Sequence, residues 1–239
     1  MQAGGLTFLV STADEAPGAR LFESRSGSEF RVLRRTCDRI DARGVFVDVG
    51  ANIGTTTLPA LEYFECAIAL EPVPANAALL RANIALNRLD GRAMAREAAC
   101  SSERGQVLLR LSPTKSGGHE IRSPKPGEET LLVPTVTLDE VIVDEGLRPG
   151  DVGLVWMDVG GHEVDVLRGA AALLDARVPI VAEIRARTAP DVERLLAGRY
   201  PQVVDLRAEV VLPIGELSAY LSRLGSAGGR KFSDMLLLG

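Results

Sequence analysis

A chain of 239 residues with 46% apolar and 25% charged side chains is long enough for one large α/β domain with a buried core, and too short for a second of similar size. Its formal net charge of −5 is spread along the chain without a basic block, which argues against a nucleic-acid partner. Cys37, Cys66 and Cys100 are odd in number and far apart, which suits free thiols in a reducing, cytoplasmic compartment, and no apolar stretch is long enough to span a membrane.

Residues 1–27 are rich in Gly and Ser around two short apolar runs, a pattern that fits an N-terminal hairpin or a cover over the domain. The run at 6–10 has no positive charge before it, unlike a secretory signal. Ser26 and Glu29 then have capping-box spacing, and Phe30, Leu33, Cys37 and Ile40 share one helical face. Residues 1–44 therefore read as an extension ending in a helix, and 45–239 as the main domain.

That domain opens with an apolar run Val45–Val49, a helical pattern over 53–64, a second run Cys66–Leu70, a helical pattern over 74–87 and a strand over 93–99. Strands alternating with helices predict βαβ units and a parallel sheet. The rhythm breaks at a strand over 106–111 and a polar loop over 112–130 containing Gly117, Gly118, Pro124 and Pro126, which reads as a lid. It resumes with a short helix at 137–144, a strand at 153–157, a helix at 163–174, a strand at 178–184 and a helix at 191–197. The tail offers a strand at 202–206, a helix at 216–224 and a strand at 234–238, the two strands pairing antiparallel at the sheet edge.

The first strand runs straight into Asp48-Val49-Gly50-Ala51-Asn52-Ile53-Gly54 and a helix. Glycines at such a junction permit a tight turn whose backbone N–H groups approach a ligand at the helix start. A dinucleotide fingerprint needs a glycine where Asn52 stands, so a nicotinamide oxidoreductase is disfavoured. Asp48 at the strand end would repel a diphosphate yet suits a ligand with a positively charged amino group, as in S-adenosylmethionine. Glu71 ends the next strand roughly twenty residues on, the distance at which an acid meets a ribose. The plain alternative is a tight structural turn with Asp48 as a helix cap.

From Val45 to Glu183 the chain resembles the FkbM family of methyltransferases. The family's D-V-G-A-N-I-G is matched from Asp48 to Gly54, its E-P by Glu71-Pro72, its N-x-x-x-N by Asn83 and Asn87, and its T-L-D by Thr137-Leu138-Asp139. The pattern K-I-D-V-E-G-x-E is matched from Trp156 to Glu163, with Trp156 in place of the lysine and Gly160 in place of the first glutamate, and V-L-x-G-A follows at Val166 to Ala170. The resemblance implies an α/β, Rossmann-like class I methyltransferase fold, with a mostly parallel sheet and an antiparallel edge strand. It also implies S-adenosyl-L-methionine as cofactor and methylation of a hydroxyl on a small molecule, sugar or natural product. The cofactor would lie against Asp48, Gly50, Ala51, Asn52, Gly54 and Glu71, with Glu97 and Ala98 near the adenine.

On the acceptor side, Asp158 at a strand end is the candidate to take the acceptor's proton, with helix capping as the equal alternative. His119 in the polar loop is the candidate second catalytic group, against a merely solvated role. His162 ranks below it, Glu163 suits a helix first turn, and Glu183 lines the acceptor pocket or makes a structural ion pair. No metal is expected, because Asp158, His162 and Glu163 do not have the spacing of a ligand set and a sulfonium donor needs none. The changes at Trp156 and Gly160 leave a second reading open, a non-catalytic adenosylmethionine-binding or scaffold protein.

Overall fold

The computed structural model describes residues 2–3, 5–11, 28–112, 118–226 and 231–239. A hairpin of β1 (Gln2–Ala3) and β2 (Leu6–Thr7) comes first, followed by α1 (Ser28–Ile40). The capping box expected from Ser26 and Glu29 lies outside the described side chains. Then come β3 (Val45–Val49), α2 (Thr57–Ala60), β4 (Cys66–Leu70), α3 (Pro74–Leu86) and β5 (Ala93–Arg96). The helix expected over 53–64 is only four residues long. The glycine loop takes up 50–56 as turns, and Pro59 within the helix contributes no N–H donor.

The strand expected over 93–99 divides. Its first part, β5, stays in the main sheet, whereas β6 (Ala99–Cys100) crosses to a second, four-stranded sheet with β7 (Gly105–Arg110), β8 (Glu120–Ile121) and β9 (Thr130–Val136). The polar loop expected over 112–130 thus contains β8, which pairs antiparallel with the end of β7; residues 113–117 lie outside the described residues. β9 escaped sequence reading because Pro134 falls inside it, and a proline within a run weakens the strand signal.

The chain returns through α4 (Leu138–Asp144), whose capping box joins Thr137 and Glu140, to β10 (Val152–Met157). The single helix expected over 163–174 is two, α5 (Glu163–Arg168) and α6 (Ala171–Asp175). The break at Gly169 lets the second sheet pack close, since a Cβ there would lie 2.2 Å from the Ser101 carbonyl oxygen. Asp139 then caps α6 by accepting the Ala172 N–H at 2.9 Å. The last elements are β11 (Ile180–Arg185), α7 (Ala189–Leu196), β12 (Gln202–Asp205), β13 (Val210–Pro213), α8 (Leu217–Ser226) and β14 (Phe232–Leu238).

The main sheet has the order β13-β12-β14-β11-β10-β3-β4-β5. Strands β11, β10, β3, β4 and β5 run parallel, and β14, β12 and β13 extend the sheet antiparallel. The antiparallel edge is therefore three strands wide; β12 and β14 pair as anticipated and β13 adds to them. Alternation along the central strands sorts the core into two layers. Val45, Val47, Val49, Val155 and Met157 face α4 to α8, while Phe46, Leu154 and Val181 face α1, α2, α3 and Phe8. Along α3, Asn83 and Asn87 sit one turn apart and clasp the N-terminal segment, exchanging hydrogen bonds with the backbones of Leu9 and Thr7. Asn83 also donates to the Ile53 carbonyl at 2.9 Å, fastening that segment to the glycine loop. No helix among the described residues is long and apolar enough to cross a membrane.

Candidate active site

From β3 the chain winds outward through β4 and β5, then returns to the other side of β3 as β10. The reversal opens a crevice at the carboxyl ends of β3 and β10, where open α/β sheets bind ligands. Gly50 leaves β3 at φ +85, and a Cβ there would lie 2.3 Å from the Asp158 carbonyl oxygen, so only glycine lets the two strand ends approach this closely. The N–H groups of Gly50 and Ala51 both donate to the Leu70 carbonyl, at 2.9 and 3.0 Å. A Cβ on Gly54 would meet Leu58 and Leu80 side chains within 2.8 Å, which seats the loop on the core.

Glu71 closes the loop from the β4 end. Its Oε2 accepts the Asn52 N–H at 2.9 Å, and its Oε1 accepts the Val73 N–H at 3.0 Å and Asn76 Nδ2 at 3.4 Å. Burial pushes its carboxyl up to about 7 against the pull of those donors. Asp48, only 2% exposed, accepts from Thr57 Oγ1 at 2.6 Å, so it also anchors the start of α2. Burial pushes Asp48 up to about 7 as well, and the nearby Glu71 adds to the rise. Two buried carboxyls raised to about 7 stand close to their protonated forms at neutral pH, and a cation docked beside them would favour ionisation. Farther out, Glu97 is exposed and pairs with Arg81 at 3.1 Å, and Ala98 is buried at the turn into β6.

The other wall is charged and more open. Asp158 is exposed at the end of β10, with its N–H bonded to the Val49 carbonyl at 3.1 Å. A Cβ on Gly160 would lie 3.0 Å from the His119 carbonyl oxygen and 3.4 Å from Glu120 Cγ, so β8 settles where a side chain would stand. His119 Nδ1 accepts the Ser112 N–H at 3.0 Å, which assigns the neutral ring's proton to Nε2. Glu120 is shared by Arg110 at 3.3 Å, Arg122 at 3.1 Å and Arg185 at 3.8 Å, and Arg122 also binds Glu128. Arg110 and Arg122 were invisible to motif reading; the pair Arg185 and Arg187 stood in plain view just beyond Glu183.

His162 is tied on both ring nitrogens, to Ser101 Oγ at 3.0 Å and Asp165 Oδ2 at 3.3 Å, and burial lowers its pKa. Glu163 is fully buried, its Oε1 accepting the Gly161 N–H at 2.9 Å. Half-buried Glu183 is raised by burial, with Arg185 at 3.5 Å opposing the rise. Among the described residues no cluster of three or more His, Cys, Asp or Glu suits a metal ion. A separate cavity of about 400 Å³, lined by Val32, Arg35, Asp38, Arg39, Val204 and Glu209, is away from this crevice, and Arg35 pairs with Glu209 in its wall.

Residues 48–211, more than half of the chain, match the Methyltransferase FkbM domain. The chain belongs to the FkbM methyltransferase family. It is 30% identical over 168 residues to hexuronic acid methyltransferase AglP of Haloferax volcanii, a match covering 70% of this chain and 66% of that protein. Among solved structures it resembles methyltransferase FkbM from Methylobacillus flagellatus KT, with TM-score 0.50, 16% identity and coverage of 82% of this chain and 44% of that one. The AdoMet complex of TYW2 from M. jannaschii matches with TM-score 0.50, 13% identity and coverage of 99% and 82%. At these identities the solved structures establish the class I methyltransferase fold, and this FkbM-family chain spans less than two thirds of AglP and under half of the M. flagellatus protein.

Proposed function

We propose that the chain is an S-adenosylmethionine-dependent methyltransferase that methylates an oxygen of a small sugar acceptor. The observation that carries this reading is the pairing, across one switch-point crevice, of a glycine loop backed by two buried carboxyls with the exposed Asp158. The donor set suits adenosylmethionine. Asp48 and Glu71 bring negative charge toward its amino and ribose ends, and the bare backbone at Gly50 and Gly54 leaves a cradle that side chains would fill. Ala51 and Asn52 line the same turn, and Glu97 with Ala98 border the adenine end. The family match and the hexuronic acid methyltransferase relative support a sugar-type acceptor.

Bound adenosylmethionine supplies a methyl group already activated on a sulfonium. The chain's task is to align the acceptor oxygen and remove its proton. Asp158 has the placement and exposure to take that proton, and the Nε2–H of His119 donates a hydrogen bond that orients the acceptor. Glu120 beside Gly160 restores a carboxylate near the position where the family pattern carries one, which favours catalysis over a binding-only role. The acidic, block-free charge distribution supports a small molecule rather than a nucleic acid as partner. The free, widely spaced Cys37, Cys66 and Cys100 support work in a reducing cytoplasm.

Calorimetry is the test. Adenosylmethionine and its demethylated product should bind in about the micromolar range, a free energy of about −8 kcal/mol, and NAD should not. Release of the demethylated product in the presence of sugar acceptors separates an enzyme from a binding protein. Tight NAD binding without an adenosylmethionine signal would overturn the proposal.

A further inference from the structure

The methyltransferase reading leaves two cations unassigned. Arg185 is the last residue of β11, and Arg187 follows it at the mouth of the same crevice, beside the Asp158 end of β10. Both side chains fold over Gly161. A Cβ on that glycine, which has φ +104, would lie 2.7 Å from Arg187 Nη2 and 3.2 Å from Arg185 Nη1, so both guanidinium groups come within 3.2 Å of one point. Like charges converge in this way at a cost unless an anion lies between them.

The protein's own acids do not fill that role. Arg187 is exposed and makes no ion pair or hydrogen bond among the described residues. Arg185 has only long contacts, 3.5 Å to Glu183 and 3.8 Å to Glu120. Glu120 is already engaged by Arg110 and Arg122 at closer range. Glu163, behind Gly161, spends one oxygen on the Gly161 N–H, its Oε2 has no partner among the described residues, and burial favours its neutral form.

We infer that Arg185 and Arg187, converging over Gly161, form a carboxylate-binding subsite that selects an acidic sugar, a uronic acid, as the methyl acceptor. The inference rests on the methyltransferase reading for the word acceptor, and on the chain's geometry alone for the subsite. Paired guanidinium forks match the planar, bidentate geometry of a carboxylate. Phosphate shares that charge attraction, and what separates the two is shape: a planar carboxylate matches a pair of guanidinium forks, whereas a tetrahedral phosphate does not lie in their plane. The same two acids accept hydrogen bonds from ring hydroxyls of a sugar, which turns the subsite into a clamp for a ring that carries one acid group.

The test compares glucuronate, glucose and glucose 6-phosphate with wild type and Arg187→Ala, by calorimetry and by release of demethylated cofactor. Glucuronate should bind at least tenfold more tightly than glucose and more tightly than glucose 6-phosphate. Arg187→Ala should raise the KM for glucuronate about tenfold while kcat falls far less, and added salt should erode wild-type affinity. Arg187→Lys should recover part of the loss, since it restores charge without the fork. Equal binding of glucuronate and glucose, preference for the phosphate, no glucuronate binding, or an unaltered KM in Arg187→Ala each overturns the subsite. Should adenosylmethionine fail to bind, the methyltransferase reading falls by itself. Calorimetry of glucuronate without cofactor then still decides the subsite, upheld by binding that needs Arg187 and overturned by its absence.

Discussion

The two walls of the crevice are built on different physics. On the β3–β4 side, geometry is fixed by buried backbone: Gly50 against the Asp158 carbonyl, Gly54 against Leu58 and Leu80, and Glu71 fastening the Asn52 and Val73 N–H groups. On the β10–β11 side, geometry is fixed by charge. Arg110, Arg122, Glu120 and Glu128 knit β7, β8 and the loop after it through partly exposed ion pairs, and Arg185 reaches Glu120 from β11 at 3.8 Å. A wall of buried backbone holds one ligand shape and tolerates little change, while ion pairs that water can reach are individually weak and can be rearranged.

The comparison breaks most directly at Gly50. Gly50→Ala puts a methyl group 2.3 Å from a backbone oxygen at a φ that side chains avoid. Chemical denaturation should show a loss of about 3 kcal/mol or more, and adenosylmethionine binding should vanish with it. A near-neutral result would mean that the backbone wall is softer than its contacts indicate.

Next in size is Glu71→Ala, which leaves the buried N–H groups of Asn52 and Val73 without their acceptor. Stability should fall by about 1–3 kcal/mol, and cofactor affinity should fall further than stability because the glycine loop loses its clamp. Glu71→Gln keeps one acceptor oxygen and should recover part of the stability, which denaturation of the two variants side by side will show.

This asymmetry also governs what could be read from the sequence. Residues whose role is backbone geometry or burial leave local marks: the alternation in Val45–Val49, the glycines at 50 and 54, and an acid at each of two strand ends. The central parallel strands and the geometry of the glycine loop were legible for that reason. A charge network assembled from positions 110, 120, 122, 128 and 185 has no period and no fixed spacing, so the acceptor wall was largely invisible, and the second sheet with it. The sequence also joined segments that tertiary contact divides, as at Gly169, where the approach of Ser101 splits α5 from α6. Thr57 was missed as the partner of Asp48 because the irregular backbone over 50–56 lies between them and brings them to 2.6 Å.

A smaller effect sharpens the contrast through protons. Asp48 and Glu71 have folded pKa values of about 7, above their ordinary 3.8 and 4.5, so each favours folding at low pH, and that contribution is lost as pH rises through about 7. A cation docked beside them favours the ionised forms. Binding of adenosylmethionine near neutral pH should therefore release protons, and its affinity should rise as pH increases through about 7. Calorimetry in buffers of differing ionisation enthalpy measures the release directly; buffer-independent heats would contradict it.

The smallest effect on the fold belongs to Asp158, and there the contrast between the walls becomes a statement about chemistry. Its side chain is exposed, and its backbone N–H bonds the Val49 carbonyl, a contact that a substitution leaves in place. Asp158→Asn keeps the size and removes the base. Stability should stay within about 0.5 kcal/mol of wild type, and cofactor affinity should hold, because the substitution leaves Asp48, Glu71 and the glycine loop untouched. Turnover should drop by about a hundredfold or more if this carboxylate takes the acceptor proton. The drop should appear in kcat rather than in KM, since Arg185 and Arg187 rather than Asp158 would hold the acceptor's carboxylate. Turnover near wild type would move proton removal to solvent, and a large loss of stability would make Asp158 a cap on the turn into α5 instead.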